Sequence, residues 1–188
     1  MLNTSFNAGS TYEHRNISYG VLLTATWDAS STVLVNGLNG SLTAGTSWLQ
    51  SIGNFIFDCP NLAAGVSNLG GNLRNIAGDF NVVRTGTTGR LMFSNAAGVV
   101  PVSIGGSLFV GDGTQNAALW ITSTGTVTVT VGVDVILATT SPTPSQNATT
   151  GTGIIQLSGD FLLQSGDWPW ALTEDISSAV SYTHLTLP

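Results

Sequence analysis

The chain has 188 residues, which is enough for one domain with a substantial core. Only 7% of the residues are charged, no lysine is present, and the net charge is −6. A nucleic-acid-binding protein needs a basic surface to neutralise phosphate, so this composition excludes that class of partner. Solubility must rest on Ser, Thr, Asn and Gly instead, a composition typical of extracellular β-rich proteins.

Cysteine and apolar segments narrow the class of protein further. The single cysteine, Cys59, cannot form an internal disulfide, and no basic neighbour would lower its pKa, so we expect it to be a small buried hydrophobe. No apolar run approaches the roughly 18 residues needed to cross a bilayer, so we predict no membrane span. The first residues lack the basic and apolar segments of a signal peptide. We therefore expect either a cytosolic protein or a piece of a longer, exported one.

The N-terminal third reads as short strands between turns. Residues 10–14, 24–27 and 32–35 are β-branched or aromatic runs, which favour strands. The dipeptides Asn36-Gly37 and Asn39-Gly40 follow as turn signals.

From Ile52 onwards one pattern recurs. Each copy has an aliphatic residue, a glycine-containing corner, a small polar residue, and then apolar residues at alternate positions. Its apolar anchor recurs at spacings of 25, 28, 27 and 26 residues, at Phe55, Phe80, Leu108, Val135 and Phe161. A period of this size indicates stacked structural repeats.

Each full repeat contains three short alternating segments, as in residues 91–93, 100–104 and 107–110. We therefore predict an all-β fold, a right-handed parallel β-helix with 25–28 residues and three short strands per coil. A propeller fits the period less well because each blade needs about 40 residues, whereas a β-sandwich remains an alternative. Pro101 lies within a predicted strand and lacks an N–H donor, which indicates a bulge or an outer edge.

Two segments depart from the repeat. A Pro/Ser/Thr-rich stretch at residues 139–150 replaces an expected strand and predicts a protruding loop, either a tolerated insertion or a binding loop. Residues 180–188 break the composition abruptly and resemble a translated sequencing adapter. We therefore assign residues 1–179 to a single β-solenoid repeat domain, a fragment of a longer protein, and residues 180–188 to a non-native tail.

An ordered set of motifs suggests a family. The motifs are GSTYEH at 9–14, ATWDASST at 25–32, GNFIFDCP at 53–60, GGNL at 70–73 and AGDFNV at 77–82. Together they resemble the Gly/Ser/Thr-rich β-solenoid repeat region of large, secreted, adhesin-like surface proteins of Bacteroidetes-type bacteria, which the type IX system exports. The resemblance covers residues 5–165 and implies a secreted or cell-surface location.

The small polar residue of each corner forms the main candidate site, a column of Asn54, Asp79, Ser107, Asp134 and Asp160. Stacking would put Asp134 and Asp160 on adjacent coils, where two carboxylates repel unless a cation or a proton intervenes. The column could bind Ca²⁺ or supply an acid/base pair for glycoside chemistry. We favour a third interpretation, in which each side chain caps its corner by accepting a backbone N–H bond.

Other candidate residues are few. Alternation directs Trp120 outward, where an exposed indole could stack on a sugar ring or a partner side chain. Trp168 and Trp170 flank Pro169 where the last regular coil ends. We favour the interpretation that they cover the end of the core or rest under a loop. His14 is the only histidine outside the tail, and we expect it to be solvated. No Ser-His-Asp set is visible.

These observations favour a non-catalytic structural stalk of a secreted or cell-surface adhesin-like protein, with no cofactor and with neighbouring domains of the same longer chain as partners. The main alternative is a module that binds glycan or a cell surface, with Trp120, Asp134 and Asp160 as ligand contacts. A polysaccharide-cleaving β-helix enzyme ranks third.

Overall fold

The structure is a computed structural model that describes residues 4–15, 20–63, 65–138 and 150–165. Within these ranges the chain is all-β, with a single 3₁₀ turn at Thr46–Trp48 and no α-helix. No helix there has the length and apolar character needed to cross a membrane. The strands are β1 Ser5–Phe6, β2 Thr11–His14, β3 Thr26–Trp27, β4 Thr32–Asn36, β5 Ser51–Ile52, β6 Asn54–Asp58, β7 Gly65–Asn68, β8 Asn75–Ile76, β9 Phe80–Arg84, β10 Gly89–Ser94, β11 Val99–Ile104, β12 Leu108–Val110, β13 Leu119–Thr122, β14 Thr126–Val131, β15 Val135–Ala138, β16 Thr152–Leu157 and β17 Phe161–Ser165.

The strands form stacked parallel coils, so the prediction of a parallel β-helix is confirmed. The chain visits three sheets in turn: a three-stranded sheet (β13-β10-β7), a five-stranded sheet (β16-β14-β11-β8-β5) and a seven-stranded sheet (β17-β15-β12-β9-β6-β4-β2). Strands β1 and β3 form a further parallel pair at the N-terminal end. Each coil thus satisfies its backbone by pairing with the coils on either side.

The register confirms the repeat seen in the sequence. The five anchors pair in series, Phe55 with Phe80, then Leu108, Val135 and Phe161. The stack also extends further back than the sequence repeat indicates, because Thr11 pairs with Thr32 and Thr32 with Asn54. These earlier coils span only 21 and 22 residues, a shorter period that conceals them in the sequence.

The core lies inside the coils, where alternate side chains of each strand point inward. On β14, Val127, Val129 and Val131 are buried, whereas the threonines between them lie on the outer face. An aromatic run crosses this interior. Rings of Trp48 and Phe55 meet edge to face at 6.2 Å between centroids, and the ring of Phe80 lies 4.8 Å from those of Phe55 and Phe93.

Pro101 lies at a local edge, as predicted. Strand β11 pairs with β14 along its whole length, but it pairs with β8 only at Ser103 and Ile104. The N–H of Ser103 points toward β8, where it donates to Arg74 O at 2.7 Å. The nitrogen of Pro101, two residues earlier, faces the same side, where no strand needs a donor.

Replacing the central ring of the aromatic run should strongly destabilise the fold. We expect Phe80→Ala to lower the free energy of unfolding by about 3–5 kcal/mol, because it removes a fully buried ring and leaves a cavity between two others. Urea unfolding followed by tryptophan fluorescence measures the change. Ile136→Ala, on the outer face of the same sheet, is the control and should cost only about 1 kcal/mol. Equal costs for the two variants would contradict the inward placement of Phe80.

Candidate functional site

The predicted polar column exists, and it forms a ladder that runs along one corner of the coils. Its members immediately precede the anchors of the seven-stranded sheet, so they come into line when the anchors pair. The first four column side chains each accept the backbone N–H of the next column residue. The bonds run from Asp79 N to Asn54 Oδ1 at 2.9 Å, from Ser107 N to Asp79 Oδ1 at 2.8 Å, from Asp134 N to Ser107 Oγ at 3.2 Å, and from Asp160 N to Asp134 Oδ1 at 2.8 Å.

The same rungs carry a backbone bond in the opposite direction. The N–H of each anchor donates to the carbonyl of the next column residue, as from Leu108 to Asp134 O at 2.8 Å and from Val135 to Asp160 O at 2.9 Å. Each coil therefore holds the next through a side-chain acceptor and a main-chain acceptor at the same corner. The interpretation of the column as corner caps is confirmed, with the correction that the capped N–H belongs to the following coil.

The ladder accounts for the glycine before Asp79 and for the glycine before Ser107. A Cβ added at Gly78 would lie 2.1 Å from Asn54 Oδ1, and one at Gly106 would lie 2.2 Å from Asp79 Oδ1. The acceptor of the preceding coil thus occupies the space of the missing side chain. Among the described rungs, a non-glycine residue stands at this position only at Val133, where the acceptor below is the short side chain of Ser107.

This geometry bears on the calcium and acid/base hypotheses. Asp134 Oδ1 accepts a hydrogen bond from the backbone N–H of Asp160. The contact between the two aspartates is therefore a hydrogen bond from main chain to side chain. Within the described ranges, no group of three or more His, Cys, Asp or Glu side chains is placed to hold a metal ion. The chemistry of the column on these contacts is hydrogen-bond acceptance between coils.

The expectation that Trp120 is exposed is wrong. Trp120 does lie on the outer face of the three-stranded sheet and pairs with Met92, as alternation predicted. The two side chains are nevertheless only 7% and 4% exposed. The guanidinium of Arg90 lies 4.4 Å from the centroid of the indole, and the indole N–H has no hydrogen-bond partner among the described residues. Alternation identifies the face of a strand but not what packs against that face.

The expectation that His14 is solvated is also wrong. His14 is 3% exposed and its ring lies 5.8 Å from that of Trp48. It pairs with the buried Val35, so it occupies an inward position of the first coil of the seven-stranded sheet. The sequence did not reveal this because the shorter N-terminal period concealed the alignment of His14 with Val35.

Cys59 is buried, as predicted. Its side chain is inaccessible, and its Sγ lies 3.6 Å from Val35 O as a donor. Burial raises the pKa of the Cys59 thiol from 9.0 to about 11. The thiol is therefore protonated near neutral pH, which is unsuited to a nucleophile or a metal ligand.

The outer face of the seven-stranded sheet carries a second row of side chains, which the sequence analysis did not identify. We call it the outer row; the coils from β4 onwards contribute Leu34, Ile56, Asn81, Phe109, Ile136 and Leu162, and Glu13 of β2 lies in line before Leu34. Five of the six are apolar, and all are at least partly exposed. The signal was present in the sequence as the residue after each anchor, but it acquires meaning only when the anchors are aligned.

Ion pairs flank this face. Arg84 on β9 forms a two-pronged pair with Asp58 on β6, with Nε bonded to Oδ1 and Nη2 2.6 Å from Oδ2. That hydrogen bonding raises the pKa of Arg84. Nearer the N terminus, Glu13 accepts bonds from Asn36 and Arg15, and the bond from Asn36 is the larger cause of its lowered pKa. Both arginines of this face are thus engaged with carboxylates.

Several predicted features lie outside the described residues. These are most of the Pro/Ser/Thr-rich stretch, residues 139–149, together with Trp168, Trp170 and the tail at residues 180–188. Their roles stay predictions.

The ladder predicts a graded response at Asp134. We expect Asp134→Ala to lower the free energy of unfolding by about 1–2 kcal/mol, because the N–H of Asp160 loses its acceptor. Asp134→Asn should stay within about 0.5 kcal/mol of the unmodified chain, since Asn54 serves as an acceptor on its own rung. Chemical denaturation measures both changes.

Calcium provides the opposing test for the same variants. Millimolar Ca²⁺ or a chelator should leave the melting temperature unchanged, because the column oxygens bond backbone N–H groups. A rise in melting temperature with Ca²⁺ that disappears in Asp134→Asn would establish a calcium site in the column instead.

The ladder also predicts energetic coupling between Asn54 and Gly78. Gly78→Ala should destabilise the protein by about 1–3 kcal/mol, because the new methyl group meets Asn54 Oδ1. In an Asn54→Ser background the cost should fall by about 1 kcal/mol, since serine is shorter and the nearest backbone atom is 3.4 Å away. A double-mutant cycle measures this coupling.

Gly159→Ala is the matched control for that cycle. Its methyl group would meet Val133 O at 2.3 Å as well as Asp134 Oδ1, so Asp134→Ser should not rescue it. Rescue at neither rung would show that the side-chain acceptor does not determine where glycine is needed. Rescue at both rungs would show that Val133 O does not contribute to the cost at Gly159.

Burial of Cys59 predicts slow alkylation and a pH-dependent stability. At pH 8 the folded chain should react with iodoacetamide about a hundredfold more slowly than the urea-unfolded chain, because less of its thiol is ionised.

The unfolded thiol loses its proton near pH 9.0 and the folded one near 11, so the unfolded state binds fewer protons between these two pH values. The free energy of unfolding should therefore fall as pH rises from about 9 to about 11. Cys59→Ala should lack this part of the decline, and rapid alkylation of the native chain would contradict the burial.

Comparison with protein-family models, curated proteins and solved structures finds no match to this chain. The fold is therefore assigned from the strand pairing. The observations that bear on function are the ladder, the outer row and their chemistry.

Proposed function

We propose that this chain is a non-catalytic structural segment, the stalk or repeat region of a secreted or cell-surface adhesin-like protein. The observation that supports it best is the ladder. In it, the small polar residues of the repeat each use an acceptor oxygen to bond one coil to the next. A catalytic or metal site would need those oxygens to converge on a ligand.

The geometry suits a spacer. Solenoid repeats contact only their neighbours, so their stability is a sum of interface terms and their length is set by the number of coils. The seven strands of the largest sheet correspond to a rod of about 29 Å at the usual strand separation. The partners of such a stalk are neighbouring domains of the same longer chain.

The surface composition supports an extracellular setting. Outer positions of β14 and β11 are Thr, Ser and Pro as well as Val99, rather than Lys or Glu. This agrees with the low overall charge and with the resemblance to secreted repeat proteins. The surface location is tested by labelling cells that carry the full gene with an antibody against this segment, with and without permeabilisation.

The mechanical role can be tested directly. Pulling the chain between its ends in a force spectrometer should give unfolding forces that fall in Asp134→Ala and stay unchanged in Asp134→Asn. The third candidate, polysaccharide cleavage, is tested alongside by incubation with pectin- and alginate-type polymers. Release of shorter chains would overturn the non-catalytic assignment, and antibody labelling only after permeabilisation would overturn the surface location.

A further inference from the structure

The outer row gives the seven-stranded sheet a run of partly exposed apolar side chains on neighbouring coils. Its apolar side chains continue from coil to coil except at Asn81, which lies between Ile56 and Phe109. The outer face of β14 on the five-stranded sheet is formed by threonines instead. The outer face of the three-stranded sheet is closed, because Asn68, Met92 and Trp120 are buried.

A shallow groove lies at the interruption of the outer row. Its volume is about 200 Å³, and the residues that line it are Thr32, Asn54, Phe55, Ile56, Asp79, Asn81 and Phe109. The lining therefore combines apolar side chains with a hydroxyl, two amides and a carboxylate. No basic side chain is among the lining residues.

The polar groups of this groove are available to a ligand. Asn81 is half-buried, yet neither its amide nitrogen nor its oxygen has a hydrogen-bond partner within the described ranges. Asp79 Oδ1 accepts the N–H of Ser107, and Asp79 Oδ2 is open to a ligand. The hydroxyl of Thr32 is likewise unengaged by described residues. The groove therefore offers one group that both donates and accepts, one hydroxyl and one anionic acceptor.

From this juxtaposition we propose that the groove at Asn81 is a subsite for one ring of a neutral polysaccharide. Sugar hydroxyls donate and accept in turn, which matches the open amide of Asn81 and the open oxygen of Asp79. The C–H face of a sugar ring is apolar and fits the ring of Phe109 and the side chain of Ile56. Sites for small polar ligands commonly combine an apolar lining with a few such polar groups.

Charge determines which sugars fit. Asp79, Asp134 and Asp160 lie along the edge of this face, and Arg84 is already paired with Asp58. An acidic polysaccharide would meet unscreened like charge without a free cation, so the proposal is restricted to neutral sugars. A basic peptide would match the charge, but it would use neither the donor–acceptor character of Asn81 nor the flat ring of Phe109, and it is tested as a competitor. The subsite goes beyond the stalk role and does not depend on it.

The test uses the full chain and a panel of tetrasaccharides in NMR titrations of backbone amides. The neutral probes are cellotetraose, mannotetraose and xylotetraose, and the comparison probes are tetragalacturonate and a lysine-rich hexapeptide. We expect saturable shifts at residues 54–56, 79–81 and 109 with at least one neutral probe and none with tetragalacturonate. Asn81→Leu should weaken that binding about tenfold or more, because it continues the outer row with the residue found at positions 34 and 162 and removes the polar groups.

Two further variants provide a second groove substitution and a control on another sheet. Phe109→Ala should also weaken binding about tenfold, and it supplies the answer if Asn81→Leu does not fold. Thr128→Leu, on the outer face of the five-stranded sheet, should leave binding unchanged. The proposal is overturned if no neutral probe binds, if binding survives both groove variants, or if the acidic sugar or the peptide binds better at these residues. None of those results bears on the mechanical and labelling tests of the stalk role.

Discussion

The hydrogen bond from a column residue's N–H to the side-chain oxygen one coil earlier, made by Asp79, Ser107, Asp134 and Asp160, is the contact that joins successive corners of this structure. It forms at the corner that precedes the seven-stranded sheet, where the anchors pair in the same register. It also explains why glycine precedes Asp79 and Ser107, since the acceptor oxygen of the preceding coil occupies the space of a side chain there. Before Asp160 the main-chain oxygen of Val133 occupies that space as well. Val133 is accommodated above Ser107 because a serine hydroxyl reaches less far than a carboxylate.

This interaction links the fold to its proposed role. A corner whose polar groups form hydrogen bonds to the neighbouring coil stabilises a long, rigid stack, which is what a spacer needs. The same stacking brings into line the residues that follow the anchors, and so produces the outer row. The interruption at Asn81 is where that row leaves polar groups open, so a stalk and a lateral sugar subsite are compatible in one sheet.

The first described coils are packed differently from the later repeats. The rings of Phe6 and Trp27 stack at 4.2 Å, and Tyr12 meets both edge to face. Gln50 joins this group, since its Oε1 accepts the indole N–H of Trp27 at 2.8 Å and its Nε2 donates to Ser47 O at 2.6 Å. His14 lies next to this group, with its ring 6.2 Å from that of Tyr12.

The sequence by itself determined the parallel stack, the anchors from Phe55 to Phe161, the burial of Cys59 and the edge position of Pro101, because these depend on periodicity, alternation and single-residue chemistry. Only the tertiary structure decided which N–H each column oxygen bonds, that Trp120 and His14 are buried, and that Asn81 opens a groove beside Phe109. Each of these depends on which residues from different coils become neighbours. A shift of one coil's length changes every such neighbour, and the lengths vary here from 21 to 28 residues. The identity of a contact between coils is therefore set by the stacking, although the tendency to stack is visible in the chain.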